Sequence, residues 1–449
     1  MSINIDVNFN KKTGKMKALN GICCAPYSSS AGPNQTYIEK YIKEGNIPYC
    51  RTHDCEGAYG GTYFVDIPNI FRDFDADEND PNSYDFYYTD EYITAVQKTG
   101  CEIYYRLGVT IEWGSKKYTT IPPKDFKKWA RICEHIIMHY NYGWADGFHY
   151  DIKYWEIWNE PENHGNKFGK CMWGGTDEEF YRLYEISSKY LKERFPEIKI
   201  GGYGGCGFYE ITRGFDVPWF KGFVDFFKRF LEMVKEKECP LDFYSWHIYT
   251  MDENELLAHA KYVRETLDEY GFDKTESHLN EWNIADEGTG YRNKHTMEGG
   301  SYLTAVMCML QNTNYVDKAM YYRFCFGSMY NGFWDHNDLS ISSAWYPFAA
   351  YGKIYGLDTA VSTMTDKKGI YATAGMSNDK KAMIISNYSC DDSEVEVRIN
   401  ADESEIKAYV TIIDESFKGE YNTTDLTTAD SGKIRLNIPK HTVVYIEFE

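Results

Sequence analysis

The stretch that decides the fold is residues 153–161, KYWEIWNEP, where an apolar, strand-like run ends in Asn-Glu-Pro. A second such stretch, residues 277–283 (SHLNEWN), places Glu281 121 positions after Glu160 (281 − 160). The carboxyl ends of the strands in a parallel barrel all open on one face, where active sites gather. If both runs are strands of one barrel, Glu160 and Glu281 therefore meet on that face.

Outward from these two stretches, short apolar runs alternate with segments of helical periodicity, which is typical of strand–helix units around a parallel sheet. We expect eight strands, at 20–27, 47–53, 102–108, 153–160, 198–204, 242–249, 277–283 and 318–326. We expect helices near 34–45, 88–98, 124–140, 177–194, 219–237, 253–269, 298–311 and 343–355. This count predicts an α/β fold, a (β/α)₈ TIM barrel over residues 18–357.

After Gly356 the helical period stops, and runs such as residues 394–399 (EVEVRI) alternate with period two. Residues 358–449 are therefore predicted to form a C-terminal β-sandwich accessory domain. Residues 1–17 also alternate, and we expect them to add one or more strands to that sandwich. No low-complexity linker separates the two parts, so we expect them to pack rigidly.

Composition narrows the class of partner. A net charge of −20 argues against nucleic acid and anionic membranes, since both attract basic surfaces. No apolar stretch approaches the ~20 residues that span a bilayer, and the first residues lack the pattern of a signal peptide. We therefore expect a cytoplasmic protein whose 12 scattered cysteines are buried, reduced thiols. Homo-oligomerisation is left open.

Two glutamates at the same ends of two strands suit cleavage of a glycosidic bond. One carboxyl group donates a proton to the leaving oxygen, and the other attacks or stabilises the sugar carbon. Two solvated loop glutamates would be the plain alternative, but both lie beside tryptophans in apolar runs. The pair needs neither a cofactor nor a metal.

Other strand ends carry groups that bind hydroxyls. Asn159 precedes Glu160, His53 ends the second strand, and His247 and Tyr249 end the sixth. Histidine and tyrosine are each intermediate in burial, so either alone fits a satisfied core residue. Because all of these residues are predicted to lie at the same rim of the barrel, a binding site is favoured over core packing. Residues 201–205 (GGYGG) lack the phosphate-loop pattern and fit a strand end where a side chain would block the cleft.

Two further glutamates near the first motif receive other interpretations. With period two, Glu156 shares a face with Glu160 one layer deeper in the barrel. A carboxylate inside a barrel needs a partner, for which Arg51 and Arg106 are the candidates, so we interpret Glu156 as structural. Glu162 is predicted to lie at the rim.

The acidic run 73–80 (DFDADEND) resembles a calcium loop only superficially. Counted from Asp73, the sixth position is Glu78 instead of glycine, and the twelfth is Tyr84 instead of glutamate. Aspartates readily bond to their own backbone, so this run predicts a self-capped polar loop.

Together these motifs resemble glycoside hydrolase family 39, in the clan of barrel glycosidases with acid and nucleophile on strands four and seven. The matching elements are residues 51–53 (RTH), 122–129 (PPKDFKKW), 156–161 (EIWNEP), 247–249 (HIY) and 280–282 (NEW), with the C-terminal sandwich. The resemblance implies retaining hydrolysis, with Glu160 as acid/base and Glu281 as nucleophile. The carboxyl groups should then lie ~5–5.5 Å apart.

The resemblance also implies that His53, Asn159, His247 and Tyr249 bind the sugar at the cleaved position. Trp334, after strand eight, would form an aromatic wall, although residues 326–330 depart from the family's pattern.

The leading hypothesis for the substrate is a short β-linked oligosaccharide, cleaved by β-xylosidase activity. Arabinose-releasing activity and uronide hydrolysis are the alternatives within the family, and a non-catalytic sugar-binding barrel is the alternative outside it. A uronide hydrolase needs a cation for the substrate carboxylate, and residues 326–334 contain no Lys or Arg. This favours a pentoside.

Overall fold

The structure is a computed structural model. It describes residues 2–23, 34–55, 63–164, 171–214, 221–284, 294–324, 332–335, 340–401, 406–428 and 432–449.

Eight parallel strands close into a barrel, which confirms the predicted fold class. The chain begins with β1 (Ile3–Lys15), which belongs to another sheet. The barrel strands then follow in chain order as β2 (Ala18–Cys23), β3 (Tyr49–Arg51), β4 (Glu102–Leu107), β5 (Tyr154–Ile157), β6 (Lys199–Gly205), β7 (Phe243–Tyr249), β8 (Glu276–Asn283) and β9 (Lys318–Tyr321). The motifs of Glu160 and Glu281 thus belong to barrel strands four and seven.

Helices connect the barrel strands and cover them. They are α1 (Asn34–Glu44), α2 (Ile67–Ile70), α3 (Tyr87–Lys98), α4 (Phe126–Tyr142), α5 (Asp177–Arg194), α6 (Glu210–Arg213), α7 (Phe223–Glu236), α8 (Glu253–Glu269), α9 (Met297–Gln311) and α10 (Trp345–Tyr355), with 3₁₀ turns at Pro81–Ser83 and Trp144–Asp146. Helix α5 begins with a reciprocal cap: Thr176 Oγ1 accepts from the N–H of Glu179, whose carboxylate accepts from the N–H of Thr176. Two backbone donors are satisfied in this way.

The C-terminal strands form one nine-stranded sheet in the order β17-β16-β19-β14-β13-β12-β1-β15-β18. A two-stranded ribbon, β10 (Trp334–Asp335) and β11 (Ser340–Ile341), precedes them. The sheet strands are β12 (Thr359–Thr365), β13 (Ile370–Met376), β14 (Lys381–Asn387), β15 (Ser393–Asn400), β16 (Lys407–Ile413), β17 (Leu426–Thr428), β18 (Lys433–Ile438) and β19 (Thr442–Phe448). Strand β1 pairs antiparallel with β12 and parallel with β15.

This sheet folds over onto itself. Ala408 in β16 and Ile434 in β18, near opposite ends of the strand order, share one apolar core with Ile5, Val397 and Val444. The inward side chains of both halves therefore face each other, as in a sandwich.

Buried hydrogen bonds join the sheet to the barrel. Tyr371 OH donates to Glu253 at the start of α8 (2.8 Å), and Ser386 Oγ donates to the carbonyl of Ser301 in α9 (2.7 Å). Tyr388 OH donates to the carbonyl of Met251, in the loop after β7 (2.7 Å). The sheet thus contacts the loop that follows β7, the strand of His247 and Tyr249. The domain boundary at residue 357 stays a prediction.

The acidic run is a self-capped loop, as predicted. The carboxylates of Asp73, Asp77 and Asp80 each accept from a backbone N–H two residues ahead. The ten cysteines within the described ranges are all buried, and none of them forms a disulfide there. No helix in the described ranges is long and apolar enough to cross a membrane.

Candidate active site

The structure brings the two predicted glutamates together at the carboxyl ends of the barrel strands. One carboxylate oxygen of Glu160, one of Glu281 and a ring nitrogen of His247 lie within 4.8 Å of one another. Each glutamate is 6% exposed. Glu281 lies within β8, whereas β5 ends at Ile157, so Glu160 lies three residues beyond its strand instead of ending it.

The turn after β5 aims Glu160 over the barrel. Trp158 has φ 73° and Glu160 has φ 45°, a region that residues other than glycine seldom adopt. The amide of Glu160 donates to the carbonyls of Tyr203 (3.1 Å) and Gly204 (3.0 Å) of β6. Backbone strain held in place in this way is common at functional sites.

Gly204 leaves room for three side chains of the site. Its φ is 65°, and a Cβ there would lie 3.1 Å from His247 Nε2 and 3.2 Å from both Arg51 Nη2 and Asn159 Oδ1. The expectation that bulk in residues 201–205 would block the cleft is confirmed at this position.

Both oxygens of Glu281 accept strong hydrogen bonds. Arg51 Nη1 donates to Oε2 (2.9 Å), and Tyr249 OH donates to Oε1 (2.5 Å). His53 Nε2 lies 3.9 Å from Oε2. A charged donor and a phenol fix the orientation of this carboxylate.

Glu160 is held by different groups. His247 Nδ1 lies 2.9 Å from its Oε1, and the same nitrogen lies 3.8 Å from Oε2 of Glu281. Asn163 Nδ2 donates to Oε2 of Glu160 at 3.5 Å. The buried imidazole thus stands between the two carboxylates.

Arg51 connects the site to the barrel interior. Its Nε donates to Glu156 (2.7 Å) and its Nη2 to Asn159 Oδ1. Burial alone would lower the pKa of Arg51, but the negative charges of Glu156 and Glu281 outweigh it and raise the pKa above its ordinary value. The guanidinium therefore stays charged.

Glu156 is structural, as predicted, and its partner is Arg51. Burial raises the pKa of Glu156, but the charge of Arg51 outweighs burial and holds the pKa below its ordinary value. Ser245 and Asn280 also donate to this carboxylate, at 2.6 and 2.7 Å. Arg106, the other candidate, binds Asp66 instead (2.6 Å).

The sequence was wrong about Glu162, which is buried and not at the rim. The turn after β5 directs the side chain inward, where Oε1 accepts the N–H of Cys206 (2.5 Å). Burial raises the pKa of Glu162 well above its ordinary value. Sequence spacing could not show this, because the turn breaks the strand alternation.

Two buried carboxylates thus meet at one end of an eight-stranded barrel, and a family model matches this chain. The model for glycosyl hydrolases family 39 matches residues 3–306. The chain belongs to glycosyl hydrolases family 39.

Curated relatives of this family 39 chain include a β-xylosidase of Geobacillus stearothermophilus, 29% identical over 139 residues (30% of this chain, 23% of the relative). A β-xylosidase of Caldicellulosiruptor saccharolyticus is 23% identical over 263 residues (56% of this chain, 47% of the relative). The chain thus spans less than half the length of either. The structure of a glucosidase from Croceicoccus marinus covers 100% of this chain and 99% of its own, with a TM-score of 0.77 and 22% identity, and so shares the fold.

Trp334 differs from the other predicted site residues of this family 39 chain. It begins β10, is 1% exposed, and its ring lies 5.6 Å from that of Tyr41 in α1. That is the environment of a core residue, and the aromatic-wall role stays a prediction. Residues 325–331, which include most of the segment expected to set specificity, lie outside the described residues.

Sequence reasoning missed three residues, Asp54, Tyr322 and Arg323. Tyr322 OH donates to Asp54 Oδ2 (2.7 Å), and Arg323 follows as a buried cation just beyond β9. All three come directly after barrel strands, so the rule that located His53 and Glu160 would have found them. Arg323 lies three positions before the segment 326–334, on which the prediction of a site without a cation relied.

The site also offers ligand atoms to a metal ion, through Glu160, His247 and Glu281. However, Glu281 Oε2 already accepts from the guanidinium of Arg51 at 2.9 Å. A cation on that oxygen would stand beside a fixed positive charge. The donor set therefore suits proton transfer and nucleophilic attack better than metal binding.

Proposed function

We propose that this chain is a retaining glycoside hydrolase acting on short β-linked glycosides, with Glu160 as general acid/base and Glu281 as nucleophile. The observation that carries the proposal is the approach of the two carboxylates, which have oxygens within 4.8 Å of each other. Retaining enzymes separate their carboxyl groups by ~5–5.5 Å, whereas inverting enzymes need ~6.5–9.5 Å to admit a water molecule.

The reaction would take two steps. Glu281 attacks the anomeric carbon and forms a glycosyl ester, while Glu160 protonates the departing oxygen. Glu160, now a carboxylate, then takes a proton from water, which attacks the same carbon and frees Glu281. The bonds from Arg51 and Tyr249 hold the nucleophile in place, and His247 contacts the acid.

For the sugar, we propose a β-xyloside, because two curated relatives are β-xylosidases. His53, Asn159, His247 and Tyr249 are the proposed ligands of its hydroxyls. A small glycoside suits the expected cytoplasmic location, and that location stays a prediction.

A uronide hydrolase is the second candidate, and Arg323 is the observation that favours it. The sequence argument for a pentoside relied on residues 326–334 alone, and this buried cation lies just before them. Arg323 is already close enough to Asp54 to lower the pKa of that carboxyl. The charge of Asp54 would repel a substrate carboxylate, and so the pentoside remains our proposal.

A panel of aryl glycosides tests the proposal. We expect hydrolysis of the β-xyloside, with kcat/KM above those of the α-L-arabinoside, β-glucoside, β-glucuronide and α-L-iduronide. NMR during the first turnovers should show the β-anomer of the released sugar. An inverted anomer would refute retention, and a tenfold preference for a uronide, ~1.4 kcal/mol in transition-state binding, would refute the pentoside. Sugar binding without turnover of any glycoside would indicate a non-catalytic barrel.

A further inference from the structure

We propose that Asp54 is a substrate-binding residue whose carboxylate accepts a hydrogen bond from a hydroxyl of the sugar bound beside Glu281. The inference rests on the proposed function and adds a contact to the same site.

The position of Asp54 in the fold is the first argument. It lies three residues beyond the end of β3, on the barrel face that carries both glutamates. Its φ is 54°, one of three positive values for non-glycine residues around the site, with Trp158 and Glu160. Such strain persists where the surrounding structure holds it, often at ligand-binding positions. The same turn also presents His53, a proposed sugar ligand.

The hydrogen bonding of Asp54 is the second argument. Tyr322 OH fixes Oδ2 at 2.7 Å, whereas Oδ1 is buried and has no hydrogen-bond partner among the described residues. His53 Nε2 lies 3.4 Å from Oδ1 without forming a hydrogen bond to it. A buried acceptor left without a donor destabilises the folded protein. The side chain as a whole is 17% exposed, although Oδ1 itself is buried.

The charges around Asp54 are the third argument. Burial, and next the charge of Glu281 from β8, raise the pKa of Asp54 to about 6. The hydrogen bond from Tyr322 and the charges of Arg106 in β4 and Arg323 after β9 lower it. His53, whose Nε2 lies 3.4 Å from Oδ1, is a further titratable neighbour. At neutral pH the group is therefore ionised.

This ionisation opposes folding. The folded-state pKa lies above the value of ~3.9 for an unfolded aspartate. Folding therefore favours the protonated form, and the contribution of Asp54 to stability falls as the pH rises from about 4 to about 6. Binding or catalytic groups often carry such a stability cost.

Asp54→Asn with deoxygenated substrates tests the contact. The substrates are the best aryl glycoside of the panel and its monodeoxy analogues, each lacking one ring hydroxyl. We expect kcat/KM of Asp54→Asn to fall at least tenfold on the parent glycoside, and less than about threefold on the analogue that lacks the bound hydroxyl. If Asp54→Asn lowers kcat/KM by the same factor on the parent glycoside and on every analogue, the proposal is wrong.

Two further readouts separate binding from structural support. The variant should unfold in urea at pH 7.5 at no lower concentration than the wild type. The acid limb of kcat/KM on the parent glycoside should also move below its wild-type position near pH 6, because the titrating carboxyl group is gone. A less stable variant with an unchanged acid limb would show that Asp54 is structural.

Asp66→Asn is the matched control, because Asp66 is also a buried aspartate on this side of the barrel. Its carboxylate binds Arg106 (2.6 Å) and Thr110 (2.7 Å to the backbone N–H). We expect Asp66→Asn to be less stable than the wild type and to have kcat/KM lowered by the same factor on all substrates. If the wild type hydrolyses no glycoside, the proposed function fails; if it does and Asp54→Asn matches it on every substrate, only the present inference fails.

Discussion

At the scale of single residues, the geometry of the site depends most on Arg51. Its three nitrogens donate to Glu156, Glu281 and Asn159, so that one planar group sets the positions of a structural carboxylate, the proposed nucleophile and a proposed sugar ligand. Lysine, with a single nitrogen, cannot reproduce this fork.

Residue types and strand ends were enough to predict much of this cluster. Glu160, His247, Glu281 and Tyr249 were predicted at one rim, and hydrogen bonds now link them. The unpredicted contacts of Glu162 and Asp54 depend on backbone turns and on distant partners such as Tyr322, neither of which leaves a local signal.

Glu160→Ala should affect substrates according to their leaving group. A general acid typically contributes ~10²–10⁴ in rate, and a dinitrophenol departs with little protonation. We expect kcat/KM on a natural disaccharide to fall by about that factor, and the value on a dinitrophenyl glycoside to fall much less. Glu162→Gln, at the neighbouring buried glutamate, is the control and should show no dependence on the leaving group. Equal losses on both substrates would show that Glu160 is not the acid.

At the scale of elements, the strands and helices were predictable because apolar periodicity is strong in them. Helix α5, for example, spans the predicted range 177–194. The end of β5 was not predictable, since Trp158 and Glu160 have positive φ values and their amides donate to carbonyls of β4 and β6, respectively. The packing of the strands leaves little space at Gly204 of β6, next to the side chains of Arg51, Asn159 and His247.

Gly204→Ala should reduce activity more than tenfold, because a Cβ within 3.2 Å of three polar site atoms must displace Arg51, Asn159 or His247. Gly214→Ala is a matched control: its φ is 72°, and a Cβ there would meet no atom of the described residues within 4 Å. Steady-state kinetics on the aryl glycoside, beside circular dichroism spectra, would compare them. Activity lost equally in both variants would point to backbone strain instead of crowding in the site.

At the scale of the whole molecule, the C-terminal sheet packs against α8, α9 and the loop that follows His247 and Tyr249. Alternating residues in 394–399 predicted strands there. The partners of Tyr371 and Tyr388 were not predictable, because they lie more than 100 positions away in sequence.

Tyr371→Phe should lower the free energy of unfolding by ~1–3 kcal/mol, because the buried carboxylate of Glu253 loses one of its donors. Tyr409→Phe is the control, since the bond that its hydroxyl donates to Glu449 is exposed; its effect should stay within ~0.5 kcal/mol. Urea unfolding of both variants measures the difference. A Tyr371 variant as stable as the control would mean that this contact contributes nothing to the junction.

The central claim is that Glu281 attacks the sugar while Glu160 serves as the acid, and covalent trapping tests it most directly. A dinitrophenyl 2-deoxy-2-fluoro-β-xyloside should form the glycosyl ester and slow its hydrolysis. Intact-protein mass spectrometry should then show one fluoroxylosyl group per chain, and peptide mapping should place it on Glu281. A label on any other residue, or an unlabelled protein that still hydrolyses the parent aryl xyloside, would contradict the account.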